Sequence, residues 1–192
     1  MPDKGSLRYL YTIKEKWGLI PPILNAGAGN PVEQRYYLPA YREFPYFHLD
    51  HQSFEGIDIV ADLCSMPQVE SESYGTIVSF DTLEHVAYPH QAFKEFYRIL
   101  KKNGYLILST VMSYSVHRWS KLKNGEGFGE SNFMDYWRFC PDGIKLLFQD
   151  AGFKLLHLQL GQSNLNLAKF PIGEGADKQA EPFIYATGIK EL

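Results

Sequence analysis

Short apolar runs alternate with amphipathic segments along most of this chain. Several runs end in glycine or in an acidic residue, a pattern typical of buried parallel strands. Strands that alternate with helices in this way predict a parallel sheet with helices on both faces. The runs cover residues 23–29, 46–50, 57–61, 75–80, 104–109, 153–160 and 183–189.

Three segments show helical periodicity. Residues 3–17 predict an N-terminal helix, and 141–152 predict a late one. Between them, a helix is predicted to begin at Pro89 and to end at Asn103-Gly104, because proline suits a first helical turn and glycine a helix end. Its apolar residues recur at the spacing of one helix face: Phe93, Phe96, Tyr97 and Leu100.

One long segment, 111–139, has no strong period. It is rich in aromatic residues and contains a glycine-rich stretch at 125–129. Such a segment in a compact domain is typical of an insertion or a lid. Two interpretations stay open: the rings cover a bound cofactor and grip an apolar or sugar-like substrate, or they only pack a helix or hairpin.

Composition and charge narrow the class of protein. The length of 192 residues predicts a single domain, 1–192, and 45% hydrophobic residues provide a core. A net charge of −3 gives no reason to expect a nucleic-acid partner.

The apolar runs are far shorter than the ~20 residues of a membrane helix, and the first ten residues lack an apolar stretch of secretory length. The two cysteines, Cys64 and Cys140, form no CxxC pair, so no zinc site of the usual spacing is present. We therefore expect a cytoplasmic protein without membrane insertion or metal; the sequence does not indicate its oligomeric state.

The first apolar run ends in a glycine turn. Gly27 and Gly29 allow a ligand to approach the backbone, and Asp50, at the end of the next run, offers a carboxylate to a ribose diol. This combination predicts an adenosine-type cofactor at the carboxyl edge of the sheet. The third glycine of dinucleotide-binding folds is absent. The alternative is that the glycines serve only a tight turn and that Asp50 is a solvated strand end.

The order of motifs along the chain is more specific than the glycine turn alone. ILNAGAG, HLD, DIVADL, VSFDTLEHV and FKEFYRILKKNGYLILST follow one another, and DYWRFCPDGIKLLFQDAGF comes later. This succession resembles class I S-adenosylmethionine-dependent methyltransferases, in particular the small-molecule type related to ubiquinone-biosynthesis methyltransferases, over roughly residues 20–160. The resemblance implies S-adenosylmethionine as the cofactor. It also implies a doubly wound, Rossmann-like α/β fold in three layers (αβα), with a seven-stranded, mostly parallel sheet and a final antiparallel strand. We expect 105–108 and 153–160 to lie near the centre of the sheet.

The resemblance also assigns the ribose and adenine contacts. It places Gly27 and Gly29 beneath the methionine and ribose parts of the cofactor. Asp50 would bind the ribose hydroxyls, and His51 would lie along the adenine.

Further cofactor contacts follow at the ends of the next strands. The resemblance implies that Asp62 and Leu63 read the adenine edge, and that Phe80 and Asp81 border the methionine end. Asn25 stands where the family has an acid, so an acceptor is kept but the charge is lost. From the residues alone, Asp62 as a helix N-cap and Leu63 as a core residue stay open.

Methyl transfer from a sulfonium is an in-line displacement, for which the protein chiefly aligns the nucleophile and excludes water. A general base is needed only where the acceptor keeps its proton. The candidates are His85, His117 and Tyr136, and none has a partner that the sequence identifies. A purely structural role for His85 stays open.

These features predict methyl transfer from S-adenosylmethionine to an oxygen or nitrogen nucleophile of a small molecule. Two other classes stay open. An NAD-dependent oxidoreductase would share the glycine turn and Asp50. A non-catalytic cofactor-binding or interaction module would tolerate the replaced acid at Asn25.

Overall fold

The structure is a computed structural model that describes residues 4–31, 45–113, 119–121, 128–130, 134–162 and 182–191. These ranges contain three α-helices and nine strands, and a 3-10 turn, Leu83–His85, follows the fourth strand. In chain order the elements are α1 (Lys4–Trp17), β1 (Ile23–Ala26), β2 (Tyr46–Asp50), β3 (Ile59–Val60), β4 (Tyr74–Phe80), α2 (Pro89–Ile99), β5 (Leu100–Val111), β6 (Trp119–Lys121), β7 (Phe128–Glu130), α3 (Pro141–Ala151), β8 (Lys154–Gln162) and β9 (Pro182–Ile189).

Seven strands form one sheet in the order β3-β2-β1-β4-β5-β9-β8. The pairs among β1 to β5 are parallel, whereas β9 is antiparallel to both β5 and β8. The predicted α/β fold with a final antiparallel strand is therefore confirmed. A separate hairpin, β6–β7, lies within the predicted lid segment.

Apolar clusters cover both faces of the sheet. One face packs against α2 and α3 through residues such as Phe93, Phe96 and Phe148. The other packs against α1 through Leu10 and Ile13. The result is the three-layer arrangement that the alternating pattern predicts.

The predicted place of residues 153–160 in the sheet is wrong, whereas β5 lies near the centre as expected, next to the central strand β4. β8 lies at the edge, and β9 lies between it and β5. The physical reason is burial. Residues 183–187 of β9 are all buried, as in a strand covered on both faces, whereas β8 is half-buried along most of its length.

The predicted end of the second helix is also wrong. α2 ends at Ile99, because Leu100 is already extended and pairs with Tyr74 of β4. Asn103 does adopt a left-handed φ of 61°, but it does so inside β5. Pairing within the sheet thus overrides the local helix signal. The strand predicted over 57–61 is shorter as well, since β3 is Ile59–Val60.

Among the described residues, we find no helix with the length and apolar character needed to span a membrane.

Candidate cofactor and acceptor site

The turn after β1 requires glycine. Gly27 and Gly29 have φ values of 79° and 61°, in the left-handed region that side chains disfavour. A Cβ atom on Gly27 would also collide with the Thr82 side chain, whose hydroxyl donates to the Phe80 carbonyl at 2.8 Å and lies 3.3 Å from the Gly27 carbonyl. The turn therefore packs directly against the end of β4.

Asp50 is joined to this glycine turn. Its carboxylate is buried at the end of β2, with Oδ2 accepting from the Gly29 amide at 2.8 Å and Oδ1 from the Gln52 amide at 3.0 Å. His51 Nδ1 lies 3.0 Å from Oδ1 on an exposed ring. The interpretation of Asp50 as a solvated strand end is therefore wrong. The structure holds this carboxylate against the backbone amide of the turn.

Asn25 has a partner that the sequence analysis missed. It pairs in register with His48 of β2, and its Nδ2 lies 3.3 Å from His48 Nδ1. Burial lowers the pKa of His48, while the nearby Asp58 carboxylate opposes that shift. A neutral amide and a neutral imidazole thus occupy the place where the resemblance implies an acid. The signal available in the sequence was the position of His48, two residues before Asp50 on the same strand.

Asn25→Asp tests this pair. We expect the new carboxylate to raise the pKa of His48, because an opposite charge at hydrogen-bond distance favours the imidazolium form. Titration of the histidine ring signals by NMR measures the change. His157, whose pKa burial also lowers but which lies on β8, serves as the control and should not move. An unchanged His48 titration would contradict the contact.

The acidic residue that follows β3, Asp62, is exposed, unlike the buried Asp50 at the end of β2. Asp62 Oδ1 accepts from the Cys64 amide at 2.8 Å in a turn closed by a bridge to Ser65. No helix follows Asp62 before β4 in this described stretch, so the helix N-cap interpretation is wrong. Leu63 is buried in the cluster between the sheet and α2.

The end of β4 carries a strained residue beside β5. Phe80 is buried, and Asp81 has a φ of 48°, which is unusual for a residue with a side chain. The Asp81 carboxylate accepts from the Ser109 hydroxyl at 2.6 Å. Residues held in such conformations cluster at functional sites.

The turn Leu83–His85 is tied to residues 134–139, which precede α3. The Glu84 carbonyl accepts from the Tyr136 amide at 2.8 Å, and the His85 ring nitrogen lies within hydrogen-bond distance of the Met134 carbonyl. The Trp137 indole donates to the Val86 carbonyl at 2.8 Å. Two motifs far apart in sequence, LEHV and DYWRF, therefore form one unit at the carboxyl edge of β4 and β5.

Glu84 is a buried carboxyl group in this turn that the sequence analysis did not single out. Its side chain is fully buried. Oε2 accepts from the Thr110 hydroxyl at 2.9 Å, while Oε1 has no hydrogen-bond partner among the described residues. Burial raises the pKa of Glu84 to about 7, partly opposed by its hydrogen bonds. Nothing in the local sequence indicates this burial, because the turn is bonded to the distant residues Tyr136 and Trp137, whose amides both donate to the Glu84 carbonyl.

The structure describes two of the three candidate general bases, His85 and Tyr136. His85 is half-buried, and Tyr136 is 51% exposed beside the 43% exposed Trp137. Because the Tyr136 amide bonds to Glu84, His85 and Tyr136 lie on adjoining segments. His117 lies outside the described residues.

This architecture, a doubly wound sheet with a glycine turn and a buried strand-end acid, defines an α/β protein of the nucleotide-cofactor type. A family model described as "Methyltransferase domain" matches residues 31–158. The chain therefore belongs to the methyltransferase-domain family. The predicted class, an S-adenosylmethionine-dependent methyltransferase, is confirmed, and the oxidoreductase alternative is set aside. No curated protein sequence matches the chain.

Solved structures show the same fold at low sequence identity. The chain is similar to 1,6-didemethyltoxoflavin-N1-methyltransferase of Burkholderia thailandensis, with a TM-score of 0.69, 13% identity, and coverage of 99% of this chain and 80% of that one. It is similar to a SAM-dependent methyltransferase of Methanosarcina mazei, with a TM-score of 0.59, 14% identity, and coverage of 88% and 92%. It is also similar to the [4+2]-cyclase SpnF, with a TM-score of 0.65, 16% identity, and coverage of 97% and 81%. The cyclase shows that this fold also supports other chemistry.

Proposed function

We propose that this enzyme transfers the methyl group of S-adenosylmethionine to an oxygen or nitrogen nucleophile of a small molecule by in-line displacement. The observation that carries the proposal is the bond between the buried Asp50 carboxylate and the Gly29 amide. It joins the glycine turn after β1 to an acceptor suited to a ribose diol. A relation to the ubiquinone-biosynthesis type is part of the same proposal.

The ribose end of the cofactor would bind at Asp50. A carboxylate has about four acceptor positions, and three donors already approach this one: the Gly29 and Gln52 amides and the His51 ring. The two amides are fixed by the backbone, whereas the His51 ring is 64% exposed. One position is left for the two hydroxyl groups of a ribose diol. Binding of both would therefore displace His51, which would then be able to lie along the adenine.

The other ends of the cofactor would follow the sheet edge. Asp62 and Leu63 would contact the adenine, with the exposed Asp62 carboxylate accepting from the exocyclic amine. Phe80 and Asp81 would border the methionine part. Asn25, bonded to His48, would supply no negative charge there.

The acceptor would bind on the side of Tyr136 and Trp137. Their exposed rings flank the turn that carries His85, so an apolar or aromatic acceptor would contact them. His85 or Tyr136 would remove a proton where the acceptor retains one; His117 is the third candidate. Segment 111–139 would act as a lid within a single domain. The small-molecule acceptor is supported by the toxoflavin methyltransferase, whose structure contains 1,6-didemethyltoxoflavin and S-adenosylhomocysteine.

The test has two stages. Isothermal titration should detect micromolar binding of S-adenosylhomocysteine and none of NAD. A screen with methyl-labelled S-adenosylmethionine should then find label on aromatic phenols or amines, and none on RNA or protein. Binding of NAD alone, or label on a macromolecule alone, would overturn the proposal. Binding of neither cofactor would favour the non-catalytic module.

A further inference from the structure

Two pairs of buried hydroxyl groups attach the N-terminal helix α1 to the sheet. Ser6 Oγ lies 2.9 Å from Ser109 Oγ of β5, and the Tyr9 hydroxyl lies 2.8 Å from Thr187 Oγ1 of β9. All four residues are fully buried. The two pairs are therefore similar in their chemistry, but only the first reaches the end of β4.

Proton counting gives the first pair a direction. A serine hydroxyl has one proton to donate and two positions at which to accept. Ser109 donates its proton to Asp81 Oδ1 at 2.6 Å and accepts from the Asp81 amide at 3.1 Å. The remaining contact must therefore be a donation from Ser6 to Ser109. The hydrogen bonds run from Ser6 to Ser109 to the Asp81 carboxylate.

These bonds hold Asp81 in a conformation that it would otherwise avoid. Its φ of 48° lies in the left-handed region, and such a conformation persists only where surrounding contacts enforce it. The Asp81 amide bonds to both the carbonyl and the hydroxyl of Ser109, and the carboxylate bonds to the same hydroxyl. Backbone and side chain are thus fixed by one residue, which α1 in turn holds in place.

We propose that Ser6 and Ser109 are positioning residues that orient the Asp81 carboxylate toward the methionine end of the cofactor and so couple the N-terminal helix to the cofactor site. This inference rests on the proposed contact between Asp81 and the cofactor. Coupling between two sites is reciprocal. Cofactor binding therefore also strengthens the docking of α1 on the sheet.

Ser109→Ala tests whether Ser109 positions Asp81, with Thr187→Val as the matched control. Both substitutions remove a buried hydroxyl that contacts α1, so both lower the midpoint of thermal unfolding. Ser109→Ala should weaken binding of S-adenosylhomocysteine about fivefold in isothermal titration, because Asp81 loses the donor that orients it. Thr187→Val should leave this affinity within about twofold of wild type. Equal affinity losses in the two variants would overturn the proposal.

A double-mutant cycle with Asp81→Gly shows whether Ser109 acts through Asp81. Glycine removes both carboxylate oxygens and tolerates the φ of 48°, whereas asparagine would keep an oxygen that accepts from Ser109. In the Asp81→Gly background, Ser109→Ala should add no further loss of affinity. An undiminished loss in that background would disprove the positioning role of Ser109 while leaving the role of Asp81 intact. If Asp81→Gly alone changes nothing, the proposed cofactor contact of Asp81 fails.

Ser6→Ala is the milder second variant, to be used if Ser109→Ala does not fold. It removes only the outer hydroxyl, and alanine suits a helix. We expect a loss of affinity of about twofold to threefold that disappears in the Asp81→Gly background. An affinity equal to wild type would show that α1 is not coupled to the site.

Discussion

Glu84→Gln is expected to raise the midpoint of thermal unfolding at pH 8 and to leave it near the wild-type value at pH 4. Burial raises the pKa of Glu84 from its ordinary 4.5 to about 7. Between these values the unfolded chain has lost the proton while the folded protein still holds it. The free energy of unfolding of the wild type therefore falls as the pH rises from about 4.5 to 7, and stays lower above that.

The size of this effect follows from the shift in pKa. One pKa unit corresponds to 1.36 kcal/mol, so the loss between acid and neutral pH is roughly 3 kcal/mol. For a domain of this length that corresponds to about 6–12 °C in the unfolding midpoint. Glutamine keeps an oxygen that can accept from Thr110 and cannot ionise, so the variant should lack this pH dependence.

Glu95→Gln provides a control of opposite sign. The Arg98 hydrogen bond and charge lower the pKa of Glu95, so its carboxylate contributes stability above its ordinary pKa, and that contribution disappears as the pH falls through the lowered value. This variant should be less stable than wild type at pH 8, and the difference should shrink in acid. A Glu84→Gln difference that is the same at pH 4 and pH 8 would contradict the buried titration.

The parts of the fold that sequence could predict are those set by local patterns. Apolar runs ending in glycine or aspartate correctly predicted β1, β2 and β4. Gly152 correctly predicted the end of α3, where it has a φ of 95°. The glycine turn and Asp50 were also identified together. Each of these features depends on residues adjacent in sequence or on a steric rule for one residue type.

The misjudged parts depend on contacts between distant segments. Whether Leu100 ends a helix or begins a strand depends on Tyr74, its partner in β4. The burial of Glu84 depends on residues 134–139 covering the turn.

The order of the last two strands, in contrast, had a local signal in the sequence. Residues Phe183 to Thr187 lack the alternation of polar and apolar residues that β8 shows. That difference separates a covered strand from an edge strand.

Asp50→Ala is expected to weaken binding of S-adenosylhomocysteine more than tenfold. Loss of a charged hydrogen-bond acceptor costs roughly 1.5–3 kcal/mol, and the variant also leaves the Gly29 amide without its partner at the turn. Isothermal titration measures the change. Asp58→Ala is the control, because Asp58 also accepts a backbone amide, that of His48 at 2.7 Å, but precedes β3 instead of ending a strand.

A ligand that lacks one ribose hydroxyl separates recognition of the ribose from loosening of the turn. The wild type should bind the 2′-deoxy analogue of S-adenosylhomocysteine several-fold more weakly than the parent compound. Asp50→Ala should bind the two compounds equally, because the acceptor of that hydroxyl is gone. If the variant still discriminates between them, or if its affinity for the parent stays within about twofold of wild type, Asp50 does not bind the ribose.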